Sequence, residues 1–237
     1  MTYQPQPQPQ PQHQHQPQHQ PQHPRGGGAY RSYPALRAVP ADLIGIVGFG
    51  CDATPVLPLT EVIAPQALSA PCTLVANGNT NLTAGLELAQ SWLRQLPRHI
   101  LRRLTVIADG EPNVRTDELL RVASELRADY ISIDTVFCGN GEEGAKVLSL
   151  LSSWTVGGHA YTAQTLESLT KLVTSSAARI HKRQAATVIL VDTSTSMGAS
   201  LSGNGGPSRM AAAISACQSV VLIKRTAFGQ VGGYSTC

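Results

Sequence analysis

The segment 191–197 (VDTSTSM) constrains what this chain can fold into more than any other. It closes a β-branched apolar run, 186–191 (ATVILV), which is typical of a strand buried on both faces of a sheet. In extended backbone, side chains two residues apart point the same way, so we expect Asp192, Ser194 and Ser196 to converge where this strand ends. One carboxylate and two hydroxyls are oxygen ligands of the kind that a hard divalent cation prefers.

Strand and helix patterns alternate along the chain from Asp42 onward. The predicted strands cover 43–49, 56–62, 104–108, 130–137, 159–162 and 186–191. The predicted helices cover 81–96, 116–126, 142–153, 165–180 and 208–224. This alternation predicts an α/β fold with a doubly wound, mostly parallel sheet and helices on both faces. Ligands of such sheets bind beyond the carboxyl ends of the strands.

Two further polar clusters fall at such positions. Thr80 lies in 78–82 (GNTNL), a turn that leads into a predicted helix, and Asp109 lies in 108–113 (ADGEPN), directly after a predicted strand. Each cluster alone has an ordinary explanation, because Ser, Asn and Asp cap helices, and Asp-Gly and Pro-Asn form turns. These two clusters indicate a binding site only when they are taken together with the cluster around Asp192.

Together the three clusters resemble the metal-ion-dependent adhesion site of the von Willebrand factor A (vWA) domain family, in which a DxSxS motif is joined by a Thr and an Asp. The matching residues are Asp192, Ser194, Ser196, Thr80 and Asp109. The stretch 43–60 is similar to the second and third strands of the family, and 130–139 with 151–173 is similar to its last third. The resemblance covers nearly everything from Asp42 to about Arg225.

The resemblance implies a site that holds Mg²⁺ (or Mn²⁺) through the hydroxyls, with the aspartates binding directly or through water. Because most direct ligands are neutral, the cation would keep enough positive field to recruit the carboxylate of a protein partner. The chain offers no evident general base beside this site. We therefore expect a non-enzymatic binding module, an adaptor like the bacterial intracellular members of the family.

The order of the elements departs from that of the family, where the DxSxS strand comes first. In this chain the strand and its helix occupy 186–225, and each expected element occurs once when the chain is read cyclically. This order predicts a circularly permuted domain, with 181–185 as the new connection. Two alternatives remain open, namely fragments of two tandem vWA domains and a domain swap in which 186–225 completes a neighbour's sheet.

Composition sets the domain limits and the expected partners. Residues 1–38 are rich in Gln, Pro and His and end in a Gly-rich linker, so we predict that they are disordered. We predict that 39–228 form the vWA-like domain and that 229–237 form a flexible tail. A net charge of +3 gives no reason to expect nucleic acid or membrane as a partner. We expect a cytoplasmic protein, either a monomer or a domain-swapped dimer, whose partner presents an acidic residue.

Three other interpretations compete with this one. The tail with its Arg-Gly segment is an alternative interacting part, for a protein or RNA, with the domain as structural support. A metal-assisted hydrolase using the same five residues is weakened by the lack of a base. The segment 139–144 matches the dinucleotide fingerprint GxGxxG, but Glu142 and Glu143 would face a pyrophosphate.

Overall fold

The structure is a computed structural model that describes residues 41–110, 116–178, 183–203 and 205–232. The strands are β1 (Leu43–Phe49), β2 (Ala53–Glu61), β3 (Leu101–Ala108), β4 (Ile131–Phe137), β5 (Ala160–Thr162) and β6 (Ala185–Asp192). The helices are α1 (Gln66–Ser69), α2 (Leu82–Arg94), α3 (Thr116–Ala128), α4 (Glu142–Ser153), α5 (Leu166–Ala177) and α6 (Arg209–Gly232). The predicted disordered segment 1–38 lies outside the described residues.

The six strands form one sheet in the order β2-β1-β6-β3-β4-β5. All neighbours are parallel except β2, which runs antiparallel to β1. The predicted mostly parallel α/β sheet is therefore confirmed, and β6 lies in its centre, as expected for the strand that carries the DxSxS motif. If strands are counted cyclically from β6, the order becomes 3-2-1-4-5-6, the usual order of a doubly wound fold.

Helices cover both faces of the sheet and define two apolar cores. Along β3, Val106 packs into the core under α2, α3 and α4, whereas its neighbour Ile107 packs into the core under α1, α5 and α6. All eight residues of β6 are buried, because helices cover it on both faces and strands flank it on both sides. Trp92 and Trp154 are partly buried against the first of these cores.

The C-terminal strand and helix are fastened to the start of β1 by polar contacts. The Asp42 carboxylate accepts a hydrogen bond from the backbone N–H of Ala185 at 2.9 Å and forms an ion pair with the buried Lys224 ammonium. The Gln184 amide donates to the carbonyl of Ala41 at 2.7 Å. These contacts align β6 with β1 at the end of the sheet opposite to Asp192.

Two elements are longer than the sequence indicated. Helix α6 runs to Gly232 instead of Lys224, since 225–228 (RTAF) contain no helix-breaking residue. Strand β3 begins at Leu101 rather than Leu104, because the charge of Arg103 is balanced by the buried Asp134 at 2.7 Å. None of the helices in the described part of the chain is long and apolar enough to cross a membrane.

Tyr130, between α3 and β4, has an unfavourable backbone conformation, and this leads to a prediction for stability. Its φ is 58°, in the left-handed region, while its side chain is 83% exposed. Left-handed backbone costs a residue with a Cβ about 1–2 kcal/mol, and glycine avoids this cost. Glycine also loses more conformational entropy on folding, which offsets about 0.5–1 kcal/mol of the gain. We therefore expect Tyr130→Gly to raise the free energy of unfolding by about 0.5–1 kcal/mol in urea denaturation. Tyr130→Ala keeps the Cβ and serves as control, so equal stabilisation by alanine would contradict this account.

Candidate metal site

The structure brings four of the five predicted ligands together at the carboxyl ends of two adjacent strands. Asp192 is the last residue of β6, and Asp109 follows β3 directly. The Ser194 and Ser196 hydroxyls are 2.8 Å apart, and the Ser196 hydroxyl donates to Asp109 Oδ1 at 2.7 Å. Asp192, Ser194 and Asp109 are buried, whereas Ser196 is exposed, so the cluster has a buried floor and an open mouth.

Asp192 has an unused acceptor inside this cluster. Its Oδ1 accepts a hydrogen bond from the backbone N–H of Ser194 at 2.7 Å, while its buried Oδ2 has no hydrogen-bond partner among the described residues. Burial raises the pKa of Asp192 to about 6, and the Asp109 charge adds to this rise, although hydrogen bonds from Ser194 oppose it. A buried carboxylate oxygen without a partner is costly, and a bound cation would satisfy it.

The spacing of these oxygens is that of ordinary O–H···O hydrogen bonds and is also compatible with Mg²⁺. Octahedral coordination at 2.0–2.1 Å places neighbouring ligand oxygens about 2.9 Å apart. The Ser194–Ser196 and Ser196–Asp109 oxygen pairs, at 2.8 and 2.7 Å, are close to this value. Within the described ranges, no group of three or more His, Cys, Asp or Glu side chains could hold a metal ion. A metal at this cluster would therefore depend on hydroxyl ligands.

Thr80 lies in a loop that is joined to the DxSxS loop, and it takes no part in the hydrogen bonds between Ser194, Ser196 and Asp109. It is buried and precedes Asn81, whose side chain caps α2 by accepting from the Ala84 N–H at 3.1 Å. Its loop is joined to the DxSxS loop, because Thr195 donates its backbone N–H and its hydroxyl to the Gly78 carbonyl at 3.1 and 3.3 Å. The Thr80 hydroxyl makes no hydrogen bond to the other four candidate residues, all of which the structure describes.

Arg209 is a functional candidate that the sequence analysis missed. It is the first residue of α6, only 9% exposed, and its Nη1 donates to Asp109 Oδ2 at 2.7 Å and to the Ser196 carbonyl at 3.4 Å. The sequence contained a signal for this contact, because a cation in the first turn of a helix is disfavoured by the positive end of the helix dipole. An arginine at that position therefore indicates a nearby acidic partner. Arg209 offsets one of the two carboxylate charges and leaves Asp109 Oδ1 directed at Ser196.

The glycine-rich turn 139–144 has a packing role next to Asp109. A Cβ on Gly139 would lie 1.8 Å from the Asp109 carbonyl oxygen, and a Cβ on Gly144 would lie 2.9 Å from that of Gly110. Only glycine lets the turn between β4 and α4 approach the Asp109 loop so closely. Two of the three glycines in the GxGxxG pattern are thus explained by the placement of Asp109, without a nucleotide.

No protein-family model and no curated protein matches this chain. Among solved structures, the SpRpn10 VWA domain is similar at 20% identity over 56% of this chain and 71% of that chain, with a TM-score of 0.45. An uncharacterized membrane spanning protein from Vibrio fischeri is similar at 22% identity over 57% of this chain and 74% of that chain, with a TM-score of 0.28. Scores this low carry no argument about function, so the site must be judged on its own geometry.

The buried Arg209–Asp109 pair leads to a stability prediction. Removing the guanidinium leaves a buried carboxylate without compensation, which costs about 3–5 kcal/mol in comparable cases. We expect Arg209→Gln to lose this much free energy of unfolding in urea denaturation with chelator and to recover part of it with Mg²⁺, because a cation bound at the cluster would supply the missing positive charge. The control is Arg121→Gln, which breaks exposed pairs with Glu87 and Glu125 and should leave the free energy of unfolding close to that of the wild type. Losses of equal size in the two variants would refute a special role for Arg209.

The raised pKa of Asp192 leads to a prediction of pH dependence. Between the ordinary value of 3.8 and the folded value of about 6, the folded state binds more protons than the unfolded state. Stability conferred by Asp192 is thus present below about pH 4 and is lost as the pH rises through about 6. We expect the metal-free wild type to lose ~2–3 kcal/mol relative to Asp192→Asn between about pH 4 and pH 7, measured by urea denaturation with chelator. Parallel stability curves for the two proteins would contradict the rise in the pKa of this carboxyl on burial.

Proposed function

We propose that this chain is a divalent-metal-dependent protein-binding module, an adaptor, whose metal site recruits a carboxylate from a protein partner. The ligands would be Asp192, Ser194, Ser196, Thr80 and Asp109, and the metal Mg²⁺ (or Mn²⁺). The observation that carries this proposal is the compact oxygen cluster, with a buried Asp192 Oδ2 at its floor that forms no hydrogen bond with a described residue. A hard cation is the ligand that such a cluster accepts most readily.

The same proposal includes a circularly permuted vWA domain. Its support is the cyclic strand order together with the five motif residues, since four of them meet at the carboxyl ends of β6 and β3. Each strand that the family requires occurs once, and β6 pairs with β1 and β3 of the same chain. A single permuted domain accounts for a sheet completed by strands of one chain better than tandem fragments or a swapped strand do.

The residues at the site are arranged to position a bound carboxylate. Ser194 lies buried beside Asp192, while Ser196 and Thr195 are exposed at the mouth where a partner would approach. Arg209 and the neutral hydroxyls keep the fixed charge of the cluster low, with Asp192 as the only carboxylate of the cluster that lacks an ion-pair partner among the described residues. A bound Mg²⁺ would supply the positive charge that attracts the partner's carboxylate in this partly buried setting.

We propose binding rather than catalysis because neither carboxylate is oriented as a general base. Asp109 accepts from Ser196 and Arg209, and Asp192 accepts from the Ser194 backbone. Neither carboxylate is held by a second acid–base residue in the way that a general base is usually oriented. The site is therefore better suited to coordination than to activation of a water molecule.

The metal is tested by thermal and chemical unfolding with Mg²⁺, Mn²⁺ or chelator. At a concentration one hundred times its Kd, a ligand that binds only the folded state adds about 2.7 kcal/mol to the free energy of unfolding. We expect this gain in the wild type and its loss in Asp192→Asn. Glu61→Gln is the matched control, because Glu61 is exposed at the opposite end of the sheet, and it should keep the gain. Equal gains in all three proteins would contradict a metal at this site.

Recruitment of a carboxylate is tested with peptides that contain one glutamate between neutral residues. We expect a signal in isothermal titration calorimetry that requires Mg²⁺, disappears with chelator, and is lost when the glutamate is replaced by glutamine. Asp192→Asn should abolish the binding, and Glu61→Gln should leave it intact. Binding that survives chelator would refute metal-dependent recruitment even if the metal itself binds.

A further inference from the structure

Arg209 connects the three segments that meet at the candidate metal site. It is the first residue of α6, and its backbone N–H donates to the Ala199 carbonyl at 2.9 Å. Its Nη1 donates to Asp109 Oδ2 at 2.7 Å and to the Ser196 carbonyl at 3.4 Å. The Asp109 side chain is fully buried, and that of Arg209 is 11% exposed. The guanidinium is therefore a fixed part of the cluster rather than a surface charge.

The two carboxylates of the cluster differ in how far they are occupied. Asp109 Oδ2 accepts from Arg209, and Asp109 Oδ1 accepts from the Ser196 hydroxyl at 2.7 Å. Asp192 Oδ1 accepts from the Ser194 backbone, whereas no described residue donates to Asp192 Oδ2. Arg209 thus competes with any other cation for Asp109, but not for Asp192.

The charges of Arg209, Asp109 and Asp192 decide what the cluster attracts. With both carboxylates ionised, and with a guanidinium that is always charged, the cluster has one net negative charge. After a divalent cation has bound, one net positive charge is left, and the carboxylate of a partner would neutralise it. Without Arg209, the two carboxylates would neutralise the cation by themselves, and no net charge would remain for a third carboxylate.

We propose that Arg209 makes the site selective for an anionic partner, because its charge weakens the binding of the metal ion and strengthens the binding of the partner's carboxylate. This role rests on the proposed function, since it concerns the same site and the same two ligands. Arg209 acts through Asp109, so it is a positioning residue and not a metal ligand. The two ligands are then coupled, and each raises the affinity of the site for the other.

A purely structural role for Arg209 leads to a different expectation. If the guanidinium only held the DxSxS loop against Asp109, its loss would loosen the cluster and weaken the binding of both ligands. Loss of its charge, in contrast, affects the two ligands in opposite directions. The directions of the two changes therefore separate the electrostatic role from support of the fold.

The chain contains a matched control pair, Arg103 and Asp134. Their ion pair is 2.7 Å long, with side chains 11% and 0% exposed, and these values equal those of the Arg209–Asp109 pair. Arg103 lies near the start of β3, roughly 20 Å along the strand from Asp109. Arg103→Gln thus removes the same charge from an equally buried pair and leaves the metal cluster unchanged.

The experiment is calorimetric titration of the full chain with Mg²⁺ and then, in excess Mg²⁺, with a peptide that contains one glutamate between neutral residues. We expect Arg209→Gln to bind Mg²⁺ about tenfold or more tightly than the wild type, and the peptide about tenfold or more weakly, because one unit of charge beside the site is lost. Arg103→Gln should stay within about twofold of the wild type for both ligands. Circular dichroism under the same conditions checks that each variant is folded.

A double variant keeps the proposal falsifiable if Arg209→Gln does not fold. Asp109→Asn combined with Arg209→Gln removes both charges of the pair and preserves the net charge of the cluster, and neutral replacement of a buried pair is often tolerated. We expect its affinities for Mg²⁺ and for the peptide to stay within about threefold of the wild type. Loss of Mg²⁺ binding in the double variant would overturn the proposal, because the charge of Asp109 would then be needed in spite of Arg209.

Opposite changes in the two affinities of Arg209→Gln support the proposal. It is overturned if this variant, while folded, binds both ligands more weakly, or if its affinities equal those of the wild type while the wild type binds Mg²⁺. Failure of the proposed function gives another result, namely a wild type that binds no Mg²⁺. If Arg209→Gln binds Mg²⁺ in that case, the competition by Arg209 is supported although the proposed function is not, and if neither protein binds Mg²⁺, both ideas are refuted.

Discussion

The backbone hydrogen bonds that hold β6 between β1 and β3 are the interaction on which the rest of the structure depends. This strand is buried along its whole length and forms the base of both apolar cores. Asp42 and Ala185, which are hydrogen-bonded, are 143 residues apart in the chain. Closing so long a segment costs chain entropy and slows folding. The sheet is complete only after the last strand has inserted, and the same insertion carries Asp192 to its place beside Asp109.

The site that results from this insertion has an uneven distribution of charge. Asp109 is compensated by a guanidinium that belongs to the same chain, whereas Asp192 has no ion-pair partner among the described residues, and none of them forms a hydrogen bond with its Oδ2. The positive charge of Arg209 lets the two carboxylates lie close together without a metal. The same charge weakens the attraction of the cluster for a metal ion. The rise in the pKa of Asp192 has the same origin, since burial and the neighbouring Asp109 both oppose its ionisation.

Hydrophobic patterns predicted the fold well, and they failed where charges are buried. The run 186–191 identified the central strand because a strand covered on both faces must be apolar throughout. The start of β3 and the role of Arg209 escaped prediction, because their partners are 31 and 100 residues away in the sequence. Local periodicity carries no information about such pairs. The proximity of Asp109 to the DxSxS motif was predictable only through a family resemblance, and the role of these residues as metal ligands stays a prediction.

The two ends of the sheet differ chemically for a reason inherent in βα units. Helices that follow parallel strands direct their positive ends to the carboxyl edge of the sheet and their negative ends to the amino edge. Acidic residues in the first turns of α3 and α4, and Arg94 and Arg127 in the last turns of α2 and α3, follow this polarity. The helix dipole therefore explains part of the positive charge at the amino edge without any ligand.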